Sequence, residues 1–133
     1  TFDGMPLIYG GQEEPLKKRL AFFEKDDIGF ENYEYTDFYT KLLALKHDNQ
    51  ALWNGEYGGD LIKLVEHPHV YVFSREKNGS SVVGIFNLSD TKQSFQVPKD
   101  LNGRDLFKDE DVQLKADSTL DLDAWQFYIL SSK

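Results

Sequence analysis

Cysteine is absent from the 133 residues, so the chain has neither a disulfide framework nor thiolate chemistry, and its redox compartment stays open. Long apolar runs are missing too: none approaches the roughly 20 residues that span a bilayer. Basic residues are in the minority, 15 Lys and Arg against 23 Asp and Glu, for a formal net charge of -8. They are scattered, and an acidic surface repels phosphate backbones and anionic headgroups. Neither nucleic acid nor a membrane is expected as a partner. No internal repeat and no low-complexity tract stands out. The chain opens on Thr1 with no start methionine and no signal-like segment. It therefore reads as a piece of something longer, with its cellular address, extracytoplasmic or otherwise, undetermined.

What is present is enough for one ordinary core, at 40% hydrophobic and 14% aromatic residues, and too little for two full domains. The organising stretch is residues 69–89. Val70-Tyr71-Val72-Phe73 and Val82-Val83-Gly84-Ile85-Phe86 flank a polar segment containing Asn78-Gly79. β-branched and aromatic residues suit a packed pleated surface. Asn-Gly between two such runs is the strongest short-range hairpin signal, because both residues tolerate positive φ. Both runs are apolar on alternate positions as well as on the positions between. Each strand must therefore be covered on two sides, by downstream chain on one face and upstream chain on the other.

Taken in order, residues 2–11 read as a strand, Met5-Pro6-Leu7-Ile8-Tyr9, ending in a turn at Gly10-Gly11. Residues 12–35 are polar and irregular with Phe22-Phe23 and Phe30 as anchors, and so long a loop in a compact domain is usually functional or part of a larger architecture. Residues 36–47 are the one clear helix. Thr36 or Asp37 can cap it, Phe38, Leu42 and Leu45 share a face, and Asn49 is a left-handed stop. That stripe needs a sheet to lie on. Beyond Ala51 the periodicity changes, and strand candidates follow at 61–65, 69–74, 82–88, 94–97, 104–107, 112–114, 120–122 and 125–130. Many short strands at this spacing predict an antiparallel sandwich or barrel with Greek-key connections.

Chemistry-bearing residues are sparse. Glu13-Glu14 and Asp26-Asp27 are paired carboxylates, but adjacent residues do not face each other across a cleft. His67-Pro68-His69 brings two imidazoles to a strand's start, and zinc would need further ligands from His47 or remote carboxylates, so a surface turn is the expectation. The oxygen-rich spacing of a calcium loop is missing, including around Asp109-Glu110-Asp111. No cofactor and no metal site is expected. Asn87, inside an apolar strand, must find hydrogen-bond partners if buried and is read as pinning a neighbouring turn. Trp53 and Trp125 are either core residues or exposed aromatic faces.

Two stretches carry a resemblance. Gly4-Met5-Pro6-Leu7-Ile8-Tyr9-Gly10-Gly11-Gln12-Glu13 is similar to the last barrel strand of the α-amylase family, glycoside hydrolase family 13. Phe22-Phe23-Glu24-Lys25-Asp26, the helix, Gln50-Ala51-Leu52 and Asn54-Gly55 resemble the loop and closing helix that follow it in that family. Val72-Phe73-Ser74-Arg75 and Phe86-Asn87-Leu88-Ser89 resemble the start of the family's C-terminal β-sandwich. The similarity runs in the expected order as far as Ser89.

The resemblance implies a mainly β chain: a C-terminal antiparallel Greek-key β-sandwich preceded by a strand-loop-helix remnant of a (β/α)8 barrel. Residues 1–54 would end the catalytic barrel and residues 55–133 form the sandwich. The family's catalytic carboxylates lie on earlier strands, so this chain should be inert alone, its parent cleaving or transferring α-linked glucose with retention. The expected function is the non-catalytic C-terminal part of such an enzyme acting on starch or malto-oligosaccharides, the sandwich bracing the barrel. The alternative is an accessory carbohydrate-binding sandwich without chemistry. Gln12 and Glu13, on the family's substrate side, are candidate substrate contacts, and Trp53 and Trp125 candidate stacking residues. The partners implied are the catalytic barrel of the same polypeptide and, through it, an α-glucan. The helix face Phe38, Leu42 and Leu45 and the segment Leu7-Ile8-Tyr9 should be left exposed or covered by dimerisation.

Overall fold

The Asn78-Gly79 turn forms as its sequence predicts: φ is 48° at Asn78 and 83° at Gly79. It joins two eight-residue strands in a computed structural model that describes residues 1–132. The elements in order are α1 (Thr36–Asp48), short 3-10 turns at Gln50–Leu52 and Gly55–Tyr57, β1 (Ile62–Lys63), β2 (Val70–Lys77), β3 (Ser80–Asn87), β4 (Gln93–Gln96), β5 (Leu101–Asp105), β6 (Asp111–Leu114), β7 (Thr119–Leu122) and β8 (Phe127–Ser132). One sheet runs β1-β2-β3-β8-β5-β6, and β4 pairs with β7 in a second. All pairings are antiparallel. The chain leaves the large sheet after β3, returns at β5, leaves again for β7 and comes back as β8 between β3 and β5. This is the crossing between layers that Greek-key sandwiches show.

Both faces of the β2–β3 hairpin are covered, and side-chain alternation decides by what. Val70 and Val72 on β2, Val83 and Ile85 on β3 and Leu130 on β8 point to one side. There Phe95, Val97 and Leu122 of the small sheet close the main core. Val82 and Ile129 point to the other side and meet Leu52, with Leu45, Phe86, Leu106 and Phe107 around them. The upstream cover is thus α1 and the turn after it. Phe38 stacks on Phe107 at 5.1 Å between ring centroids, and Phe107 meets Phe127 edge-on at 5.4 Å. The helix lies on the sheet as its stripe requires, yet none of its residues is fully buried.

Three local expectations are corrected. Residues 5–9 do not form a strand, because no described segment offers them a ladder, and an unpaired strand leaves its N–H and C=O groups without partners. Neither Thr36 nor Asp37 caps α1. Tyr35 occupies the cap with no side-chain bond, its N–H donating to Glu13 O at 3.0 Å. Asn49 is extended (φ -101°) where a left-handed stop was expected. It is buried, its Oδ1 accepts the Ala51 N–H, and its Nδ2 donates to Ser81 O and Ser132 O, clipping the helix end to β3 and β8.

Gly58 shows how closely the upstream cover fits. A Cβ built on it would stand 1.9 Å from Trp53 O. Gly58→Ala should therefore force the backbone apart and cost about 3 kcal/mol, read as a lowered thermal midpoint. An unchanged midpoint would contradict the described path of residues 53–58.

Candidate functional site

The irregular segment before α1 is held by its own carboxylates. Glu14 accepts N–H bonds from Asn32 (2.9 Å) and Tyr33 (2.7 Å), which keep its carboxyl below the usual range. Asp26 is held low by Lys18, 2.6 Å away, and then by the Ala21 N–H. Asp27 pairs with Lys25 at 3.2 Å. Retaining glycoside hydrolysis needs two carboxyls about 5–5.5 Å apart across the sugar. Here three of the four carboxylates in the two adjacent pairs, those of Glu14, Asp26 and Asp27, are engaged in ties that fold the loop on itself. Gln12 Oε1 accepts the Tyr9 N–H at 2.6 Å and closes the glycine turn. Glu13 is different: its Oε2 is enclosed without a hydrogen-bond partner.

A second cluster was not visible in the sequence. Arg75, in the middle of β2, is 1% exposed. Its Nε donates to Gly59 O at 2.9 Å, and its terminal nitrogens reach Trp53 O (3.0 Å), Phe2 O (3.2 Å) and the Asp3 carboxylate (2.8 Å). Lys46 comes in from α1 to donate to Leu52 O (2.7 Å) and Asn54 Oδ1 (3.0 Å), and burial lowers its pKa, with the Arg75 charge adding to the effect. Two cations and one exposed acid thus knot the segments 1–3, 46–59 and β2 together. The one available signal was an arginine amid apolar strand residues. A pattern of that kind does not reveal which distant carbonyls it serves.

The tryptophans are separated. Trp53 lies beside Met5, Pro6, Leu43 and His47 and is 41% exposed, its Nε1 donating to His47 O. Trp125 is 63% exposed and lies before β8 rather than on it. The knot holding Trp53 sits at the Val82 end of β3, and the Trp125 turn is bonded to Asn87 and Ser89 at the other end. Five strand steps, roughly 17 Å, separate them, so the two rings form no single platform. His67 makes the expected turn: its Nδ1 accepts the His69 and Val70 N–H groups. Among the described residues no three His, Asp or Glu side chains gather around one position. Asn87 pins turns as expected, its Nδ2 donating to Thr91 O and Asp123 O.

With this architecture in view, a family model described as "Maltogenic Amylase, C-terminal domain" matches residues 63–129, half of the chain, from β1 to β8. The chain belongs to this family. The maltogenic-amylase C-terminal domain thus takes in the two sheets, Arg75, Asn87 and Trp125, while Gln12, Glu13 and Trp53 lie outside the matched span. A cyclomaltodextrinase of Thermoanaerobacter pseudethanolicus is 28% identical over 112 residues, covering 79% of this chain and 18% of that protein. An oligo-1,6-glucosidase of Heyndrickxia coagulans is 32% identical over 63 residues, 47% of this chain and 11% of that protein. Among solved structures, the trehalulose synthase of Pseudomonas mesoacidophila shares the fold at a TM-score of 0.55 and 22% identity, over 73% of this chain and 17% of its own. The chain therefore spans less than a fifth of the length of each of these relatives.

Proposed function

We propose that this chain is the non-catalytic C-terminal part of a retaining glycoside hydrolase acting on α-glucans. Its sandwich braces a catalytic barrel carried by the same polypeptide. The observation that carries this reading is a contrast within the chain. The sandwich is cored on both faces, whereas residues 1–35 have no strand or helix and expose Met5 (79%), Leu7 (83%), Phe22 (87%) and Phe23 (94%). Apolar surface on that scale calls for a covering partner. Relatives several times longer than this chain supply the natural candidate, the rest of the polypeptide. On this reading residues 1–54 belong to the barrel and 55–133 to the sandwich, and α1 is the shared wall. Glu13, with its enclosed and unbonded Oε2, contacts groups of the barrel's substrate side, while Gln12 stays a turn residue.

The test compares cleavage of malto-oligosaccharides by the full-length polypeptide and by the 133-residue chain. Turnover is expected from the first and none from the second, and turnover by the chain alone would overturn the reading. Leu7→Glu with Phe23→Glu should lower the thermal midpoint of the full-length protein by several degrees and leave that of the 133-residue chain unchanged, since neither residue reaches the sandwich core. A second copy covering the same surface would appear as concentration-dependent dimerisation of the short chain, abolished by the same pair of substitutions.

A further inference from the structure

Trp125 stands where its turn calls for glycine. Residues 123–126 close a β-turn through the Gln126 N–H and Asp123 O at 3.0 Å, and Trp125, third in the turn, has a φ of 60°. A positive φ at that position favours Gly or Asn, and a bulky side chain there is strained. Such strain persists only where the surroundings over-determine it. Here the Trp125 N–H donates to Ser89 O, the Asp123 N–H to Gln126 Oε1, and the Gln126 amide to the Tyr128 hydroxyl. The buried Asn87 amide bonds Thr91 O at 2.7 Å and Asp123 O at 2.8 Å, locking the 89–93 loop beside the turn. For all this fixing the indole is not used in the core: it stays 63% exposed.

Its setting is polar. The loop that the Trp125 N–H bonds to carries Ser89, Thr91 and Gln93 in one hydrogen-bonded chain, and Leu88, just before it, is exposed. A stable protein interface needs a contiguous apolar centre. An exposed aromatic face on a fixed turn, with that turn tied to a loop of hydroxyl and amide groups, suits a sugar ring, which stacks its C–H face on the indole and has polar partners in reach for its hydroxyls. We propose that the Trp125 turn is a stacking platform for one pyranose unit of a carbohydrate chain. That the carbohydrate is an α-glucan rests on the function proposed above, whereas the platform itself rests on the turn.

In a Trp53→Phe background Trp125 is the one remaining tryptophan, and its emission can be followed during titration with maltoheptaose, isomaltoheptaose and cellohexaose. Saturable change with maltoheptaose is expected. Affinity electrophoresis of the 133-residue chain through starch gels should show retardation that Trp125→Gly reduces at least tenfold, with a thermal midpoint unchanged or raised because the strain is relieved. Trp125→Tyr, which keeps an aromatic face, should retain part of the retardation even if the glycine variant folds poorly. Response to cellohexaose alone would sustain the platform and sink the α-glucan assignment. No response to any sugar, retardation equal in Trp125→Gly, or a midpoint lowered by several degrees in a folded glycine variant would overturn the platform and leave the brace untouched.

Discussion

Replacing Arg75 with methionine should cost about 3 kcal/mol of stability, although methionine fills a comparable space and suits the surrounding strand. The guanidinium is a pure donor group whose bonds are shared among carbonyls from segments that no β-ladder joins. Without it, the Gly59 oxygen loses its partner in a buried place and the Trp53 and Phe2 oxygens lose theirs in part-buried ones, with the largest desolvation cost at Gly59. The Asp3 pair contributes less, because that carboxylate is 67% exposed and its attraction is screened. Asp3→Asn should accordingly change stability by well under 1 kcal/mol. Arg75→Lys should fall between, since one ammonium cannot span the fork of acceptors. Urea unfolding gives the ranking. A midpoint for the methionine variant equal to the parent's would show that the knot contributes nothing. Amide exchange offers a second reading: the Gly59 N–H, which donates to Ala51 O, should lose protection first.

Asn87→Asp should be the most damaging isosteric change in the sandwich, larger than Asn87→Ala at about 2 kcal/mol. Asn87 is 2% exposed, and its amide nitrogen faces three carbonyl oxygens, those of Thr91, Asp123 and Leu122. Its oxygen accepts from the backbone and hydroxyl of Ser89. A carboxylate would keep the Ser89 bonds and turn charge toward the three carbonyls, a repulsion in a desolvated site. The sign of the pH dependence follows. Burial beside carbonyls pushes the introduced acid's folded pKa above its unfolded value. The variant is therefore least impaired below the unfolded carboxyl range and loses stability as pH rises through the folded value. Thermal midpoints of parent and variant should diverge from about pH 4 upward. A constant gap across pH 3–8 would mean that the substituted group is not buried among those oxygens.

These two side chains also mark how far the sequence could be read. The eight strand segments were legible, because Gly, Pro, Asn and Asp punctuate β-branched and aromatic runs, and the Asn78-Gly79 hairpin followed from its turn residues alone. The need to cover both hairpin faces was legible for the same reason. Asn87 was recognisable as a pin because amides inside apolar strands must be bonded. Arg75 was not, since its acceptors are backbone oxygens far away in sequence and any residue could have supplied them. Residues 5–9 carry an apolar run with strand character yet form no ladder here, because a strand exists only with a neighbour. Trp125 was read as either core or platform. Side-chain type could not decide; the structure leaves the indole 63% exposed, which removes it from the core, and the platform is the proposal made above.

The sequence by itself determined the strand succession beyond residue 60, the hairpin at the centre, and the helix with its apolar stripe, because these rest on local periodicity and turn chemistry; the resemblance of the first 89 residues rests on the motifs they carry. Only the tertiary structure decided that β8 enters between β3 and β5, that α1 closes the second face of the large sheet, that one buried arginine gathers three segments, and that an exposed tryptophan is locked onto a strained turn. Each of these depends on groups distant in sequence meeting in space, and their energy is fixed by burial and hydrogen-bond geometry that no local pattern encodes.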